Sequence, residues 1–237
     1  MSRTRTEETL QEALPEGSDK GRAVRVMFDA VAPRYDLVNA IMTFGLDRRW
    51  RRATVAALGL PRGSRVVDLA CGTGDLCADL ARAGLRPIGF DVSAGMLAAA
   101  HTTVSLVRAD VASLPLPDGS VDGATCGFAL RNLVDLPAFL TEVARIVRPG
   151  GRIGLLEVAE PSNRALRLGH RLYFTRVVPR IGAALSDGAA YRYLPRSVAY
   201  LPTVDALVGA VAAAGFPDAD RRTFSGGVVQ LLVGTRS

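Results

Sequence analysis

The stretch Val66-Val67-Asp68-Leu69-Ala70-Cys71-Gly72-Thr73-Gly74-Asp75 limits the folds open to this 237-residue chain more tightly than any other. A short apolar run ends, a loop of small residues turns sharply, and a helical pattern begins. Gly72 and Gly74 carry no Cβ, so the backbone there can approach a ligand closely. The helix that follows offers unpaired N–H groups and the positive end of its dipole. A dinucleotide fold would place Gly-x-Gly-x-x-Gly here and lay a pyrophosphate on that helix. This chain has Cys77 at the third glycine's position and Asp68 ahead of the loop. A carboxylate there suits a cationic ligand end, such as an amino group, better than a diphosphate.

Strand and helix patterns alternate on both sides of that loop. Strands are expected at Arg65–Ala70, Pro87–Asp91, Ser105–Ala109, Val121–Cys126 and Arg152–Val158, and helices at Asp75–Ala83, Ala94–His101 and Leu136–Val147. The strands are short apolar runs without polar alternation, which fits a sheet covered by helices on both faces. The reading is a doubly wound α/β sheet, mostly parallel. Ahead of it, residues 1–20 read as a loose polar tail and 21–60 as a helical cap interrupted at Pro33. Residues 63–160 form the ligand-binding core. A basic and aromatic insertion spans 161–202, and 203–237 supply a closing helix at Val204–Gly215 and an antiparallel hairpin of Ala219–Phe224 and Val228–Val233. All of this is one domain of typical length.

Two further acids match the loop. Asp91 closes the second strand, 17 positions after Gly74, where an acid accepts both hydroxyls of a ribose. Asp110 closes the third strand and can accept from an adenine amino group. Ligands of open α/β sheets bind at the carboxyl ends of the strands, and all three acids stand there.

Composition narrows the partners. Cys71, Cys77 and Cys126 form no CxxC pair, and His101 and His170 have no neighbour at metal spacing, so no metal is expected. Reduced cysteines fit a cytoplasmic chain. Met1–Arg22 contain no apolar stretch like a signal sequence, and no apolar run is long enough to span a bilayer. The net charge of +6 and pI near 9.8 favour an anionic contact. No nucleic-acid module or aromatic-interleaved basic patch is present, so nucleic acid is not expected. Arg164, Arg167 and Arg171 repeat at i, i+3 and i+7 among Leu166, Leu172, Tyr173 and Phe174, a segment suited to an anionic membrane surface.

The loop Asp68–Gly74 with Asp91 and Asp110 resembles the first three motifs of class I methyltransferases. That resemblance implies their Rossmann-like fold and S-adenosyl-L-methionine as cofactor. Asp68, Gly72, Thr73 and Gly74 would hold the methionine part, Asp91 the ribose, and Asp110 with the Val111 backbone the adenine. Gly127, at the fourth strand's end, completes the cofactor set. Ala70 stands where many relatives have glycine.

A narrower resemblance covers most of the chain. Tyr35–Arg51, Leu130-Arg131-Asn132-Leu133-Val134-Asp135, Arg145–Gly151 and Tyr191-Arg192-Tyr193-Leu194-Pro195-Arg196-Ser197 are similar, in order, to signatures of the ubiquinone/menaquinone C-methyltransferase family. The resemblance implies methylation of a ring carbon of a prenylated quinol, demethylmenaquinol before others, by an enzyme that is cytoplasmic and touches the inner face of the membrane. A homo-oligomer is compatible with it. Thr43 stands where the signature usually has serine, Gly127 and Ala129 replace the usual serine and glycine, and Gln230 takes the place of a common histidine. The last three are expected at the floor of the active site, which keeps a soluble aromatic or polyketide substrate in view as the alternative. Tyr35, Asp36, Asn39, Tyr191 and Tyr193 are the polar groups expected around the ring, with Arg131, Asp36 and Tyr193 as catalytic candidates. Arg131 cannot be a base as a guanidinium, but it could hold a phenolate. Asp36 is the candidate base.

Overall fold

The computed structural model describes residues 17–178, 180 and 197–237. Seven strands build one sheet: β1 (Arg65–Leu69), β2 (Arg86–Asp91), β3 (Leu106–Arg108), β4 (Val121–Gly127), β5 (Val147–Val158), β6 (Asp220–Phe224) and β7 (Val229–Thr235). Their order is β3-β2-β1-β4-β5-β7-β6. The first five pair with one another in parallel, while β7 runs antiparallel to both β5 and β6. The chain reverses its direction of travel across the sheet between β1 and β4. A crevice opens at such a point, outside the carboxyl ends of the strands.

The apolar runs are buried as expected for central parallel strands: Val66, Val67 and Leu69 of β1 are all shielded from solvent. Below the sheet, Phe139, Leu140, Val143 and Ile146 pack with Ile153, Leu155, Phe216 and Leu232. Truncating a wholly buried phenylalanine such as Phe139 costs about 3–5 kcal/mol. Their helix (Leu136–Ile146) starts where Asp135 accepts from the Ala138 N–H at 2.8 Å, with Pro137 in its first turn.

Two expected elements are shorter in the fold. The helix read as Ala94–His101 stops at Ala98, where the Ala99 N–H closes the last turn on the Gly95 carbonyl, and beyond it Thr102 Oγ1 accepts from the Val104 N–H at 3.2 Å. The third strand keeps only Leu106–Arg108. The fifth is longer than expected and starts at Val147, with an irregular register opposite Val121 and Gly123.

Helices are numbered along the chain. The cap contains α1 (Gly17–Val31), a 3₁₀ turn at Ala32–Arg34 around Pro33, α2 (Tyr35–Met42) and α3 (Asp47–Leu58). The sequence implied one helix after Pro33, but two form, because Phe44 and Gly45 adopt φ of 53° and 70° and end α2. α1 is latched at both ends. Lys20 Nζ donates to the Leu133 carbonyl at 2.6 Å and lies 3.8 Å above the Tyr200 ring. Asp29 accepts from Ser93 Oγ at 2.6 Å and from the Gly95 N–H at 2.9 Å.

The core helices are α4 (Asp75–Arg82), α5 (Ala94–Ala98) and α6 (Leu136–Ile146). Beyond β5 come α7 (Arg164–Leu172), a π-helical turn at Tyr173–Val177, a 3₁₀ turn at Val198–Tyr200 and α8 (Val204–Ala213). Tyr191, Tyr193 and the rest of the expected late signature up to Arg196 lie outside the described residues.

Candidate active site

The crevice holds a cavity of about 610 Å³ roofed by α1. Asp68, Asp91 and Asp110 reach its wall from β1, from the last residue of β2 and from just beyond β3, so the three acids do converge. Gly72, Thr73, Val111, Gly127 and Asp36 line it as well. Gly74 does not. It caps α4 at φ 86°, and a Cβ on it would come within 2.6 Å of Thr102 Cγ2, so its glycine serves the turn and its packing. Ala70, on the wall, carries φ of 53° without being glycine, in the left-handed region that favours glycine.

Each acid has a distinct environment. Asp68 is 1% exposed. Thr125 Oγ1 donates to its Oδ1 at 2.8 Å, and Cys77 Sγ lies 3.5 Å from Oδ2. Burial pushes its carboxyl up to about 7, against the pull of those two partners. A ligand ammonium would supply the missing counter-charge. Asp91 accepts from the Gly72 N–H on one oxygen and the Ser93 N–H on the other, both at 2.8 Å. Burial raises it too, and these backbone donors oppose the shift. Each of its oxygens keeps a lone pair for a diol. Asp110 accepts from the Ala112 N–H at 2.9 Å, which orients the start of the loop after β3.

The wall gathers Asp36, Asp68, Asp75, Asp91, Asp110 and Asp135 in a chain whose net charge is positive. Arg22 and Arg25 also line the cavity, but six acids outnumber three arginines, and Arg51 is already bound to Asp47, Asp75 and Asp79. An anionic ligand is disfavoured here, and a ligand carrying a sulfonium and an ammonium fits. Thr73 Oγ1 donates to Asp36 Oδ1 at 2.6 Å and joins the glycine loop to α2.

A second cavity, of about 430 Å³, lies beside the first. Met42, Leu46, Trp50, Val178 and Val229 make it apolar, and Phe44, Leu166 and Phe174 extend that lining. Phe28, Tyr35, Asn39 and Phe128 line both cavities and form the partition. Tyr173 donates to the Met42 carbonyl at 2.8 Å, and Trp50 Nε1 to Ser225 Oγ at 3.0 Å.

Arg131 faces this second cavity. Its Nη1 bonds Glu157 and the Phe128 carbonyl, the latter at 2.8 Å, and its Nε reaches Ser197 Oγ at 3.2 Å. Glu157 is wholly buried, so the guanidinium is balanced by a partner that pattern reading had no means to find. Asp36 lines the first cavity and not the second. Gln230 corrects an expectation. It lines neither cavity, accepts from Arg221 Nε at 2.7 Å and donates to the Val158 carbonyl at 3.2 Å, so it is a sheet residue and not part of the site floor. Gly127 and Ala129 border the first cavity alone. Sequence reasoning missed Lys20 and Asp29, the latches of α1, and His170, which borders the second cavity.

Comparison with known proteins agrees with this geometry. The ubiE/COQ5 methyltransferase family matches residues 16–236. The chain is 41% identical to a ubiquinone/menaquinone biosynthesis C-methyltransferase UbiE of Syntrophotalea carbinolica, over 92% of this chain and 95% of that one. It is 43% identical to a demethylmenaquinone methyltransferase of a Mycobacterium species, over 88% and 91%. Among solved structures, a Haemonchus contortus phosphoethanolamine N-methyltransferase in complex with S-adenosyl-L-methionine shares the fold, with a TM-score of 0.58 at 14% identity over 78% of this chain and 52% of that one. This chain belongs to the ubiE/COQ5 methyltransferase family and is an S-adenosylmethionine-dependent methyltransferase.

Proposed function

We propose that the chain methylates a ring carbon of a prenylated quinol, demethylmenaquinol above others, with the donor in the acidic cavity and the ring in the apolar one. The observation that carries this reading is the shared partition of Phe28, Tyr35, Asn39 and Phe128 between a polar, carboxylate-lined cavity and an apolar one. When bound, the cofactor supplies a methyl group already activated by its sulfonium. The protein's task is then to align the acceptor carbon and keep water away. Asp68 holds the amino end, Asp91 the ribose and Asp110 with Val111 the adenine. α1, latched through Lys20 and Asp29, closes over them. Trp50, Phe128 and Met42 hold the ring in a dry setting, and Arg131, braced by Glu157, offers hydrogen-bonding capacity at its edge. Asp36, tied to Thr73, acts here as a positioning residue and not as the base. Demethylmenaquinol is preferred over a ubiquinone precursor on the strength of the mycobacterial relative's name.

Substrate access extends the proposal to the membrane. α7 has no buried residue, and Leu168 is 69% exposed beside Arg164, Arg167 and Arg171. Phe44, 77% exposed, borders the apolar cavity. These residues fit a face that rests on anionic lipid while a prenyl chain enters. No helix among the described residues is long and apolar enough to cross a membrane.

The test is transfer of radiolabelled methyl from S-adenosylmethionine into lipid quinones extracted from cells lacking the activity. Label in the prenylated naphthoquinol is expected. Label in water-soluble aromatics alone would overturn the quinone assignment and favour the soluble-substrate reading.

A further inference from the structure

Methylation at carbon needs an electron-rich ring, and a quinol becomes one when a hydroxyl beside the reacting carbon gives up its proton. Asp36, the acid expected to take it, faces the other cavity. Among the described residues, the titratable groups lining the apolar cavity are Tyr35, Arg131, His170 and Tyr173. Arg131 stays a guanidinium and is paired with Glu157. Tyr173 already donates to the Met42 carbonyl, and burial pushes its hydroxyl up, away from the phenolate. An uncharged tyrosine hydroxyl is a poor proton acceptor, which leaves the histidine among the described residues.

His170 stands near the end of α7, its ring centroid 4.4 Å from that of Phe174. Its Nε2 is buried and bonded to no polar atom. Leaving a polar atom buried and unpaired is costly in a folded chain, and each such case calls for a reason. Burial also lowers the imidazole's proton affinity, against the charge of Glu160, and a neutral imidazole keeps one nitrogen able to accept. Rotation about the Cβ–Cγ bond of a histidine is soft and can turn that nitrogen toward a guest in the cavity.

We infer that His170 is the proton acceptor for the ring hydroxyl adjacent to the methylated carbon, an inference that rests on the quinol reading above. The hydroxyl proton passes to Nε2. The ring carbon bonds to the methyl group as the carbon–sulfur bond breaks, and the electron pair of that bond stays on sulfur. The proton displaced from the ring carbon returns to the ring oxygen as aromaticity is restored, and the imidazolium releases one proton to solvent.

The experiment measures kcat against pH for the full chain and for His170→Ala and His170→Gln, with demethylmenaquinol in detergent and saturating cofactor. The wild-type kcat is expected to rise with pH through a pKa below the ordinary histidine value and then level off. Both variants should lose about 10²- to 10⁴-fold in kcat at neutral pH, the usual size of general-base catalysis. They should regain rate as pH approaches the ionisation of the quinol itself, and added imidazole should partly restore His170→Ala. Cofactor affinity and melting temperature, measured alongside, should stay within the wild-type range for at least His170→Gln, the closer match in polarity. A kcat for His170→Gln within threefold of wild type would overturn the inference. So would a loss equal at every pH with no rescue by imidazole, since that marks a packing role. Wild-type protein that loads cofactor but methylates no quinol overturns the quinol reading itself, and this inference with it.

Discussion

Thr73 and Asp36 meet across 37 positions of sequence, hydroxyl to carboxylate at 2.6 Å, and this bond fastens the glycine loop to α2, a helix of the partition between the two cavities. A hydrogen bond to a charged group is worth about 1.5–3 kcal/mol net. Thr73→Val and Asp36→Asn should each weaken cofactor binding by about 10- to 150-fold. Their effects should fall well short of additive, with a coupling of about 1–2 kcal/mol in a double-mutant cycle read by calorimetry. Were Asp36 the base instead, Asp36→Asn would leave cofactor affinity unchanged and abolish turnover.

Asp68 predicts an opposition between stability and binding. Its carboxyl sits at about 7 in the fold and near its ordinary value in the unfolded chain, so between these two the unfolded state ionises and the folded state does not. Stability of the ligand-free protein therefore falls as pH rises through that window, by up to about 4 kcal/mol, and the loss is complete above about pH 7. Asp68→Asn should melt higher than wild type at pH 8 and no differently at pH 3. Cofactor affinity runs the other way. It should weaken as pH drops from about 7 to 5.5, where the donor's amino group stays protonated while Asp68 is neutralised, by up to tenfold per unit. In Asp68→Asn it should be weak at every pH, by calorimetry across the series.

Ala70 holds a left-handed backbone without being glycine. Ala70→Gly removes a clash between Cβ and the carbonyl that costs about 1–2 kcal/mol. The extra freedom of glycine in the unfolded chain takes back about 0.4–1 kcal/mol. A small net gain in denaturation midpoint is expected, with cofactor binding retained. A loss of stability would show that the methyl group's packing outweighs the strain.

The arginines of α7 carry the membrane prediction. Each basic residue near an anionic surface contributes about 1 kcal/mol. Replacing Arg164, Arg167 and Arg171 with glutamine should lower binding to phosphatidylglycerol vesicles by about 100-fold in a flotation assay and leave binding to neutral vesicles unchanged. Turnover of a short-chain soluble quinol analogue should be unaffected. Equal flotation on both vesicle types by the wild-type chain would remove the electrostatic account.

Much of this could be read from the chain before folding. Apolar runs specify buried parallel strands, glycines mark the turn, and Asp68, Asp91 and Asp110 sit at strand ends where pattern alone places them on one edge. What pattern could not reach were pairings between distant segments. Glu157 looks like a polar residue in an apolar strand until Arg131, 26 positions earlier, is found against it. Asp29 reads as one more charge on an amphipathic helix until Ser93 Oγ is found donating to it. His170, judged only for metal spacing, sits on an exposed helix whose inner edge borders the apolar cavity. Gln230 misled in the other direction, because its interest came from a family departure and not from where its side chain would go.

Phe28, Tyr35, Asn39 and Phe128 belong to two compartments at once, and with the donor and the quinol placed as proposed that double membership would make their affinities interdependent. A guest on either side would immobilise the same four side chains, so the second arrival would meet a wall already ordered. Linkage requires the advantage to be mutual: whatever factor the quinol gains from a seated nucleoside, the nucleoside gains from a seated quinol. The demethylated nucleoside left after turnover would then depart faster once the lipid has returned to the bilayer.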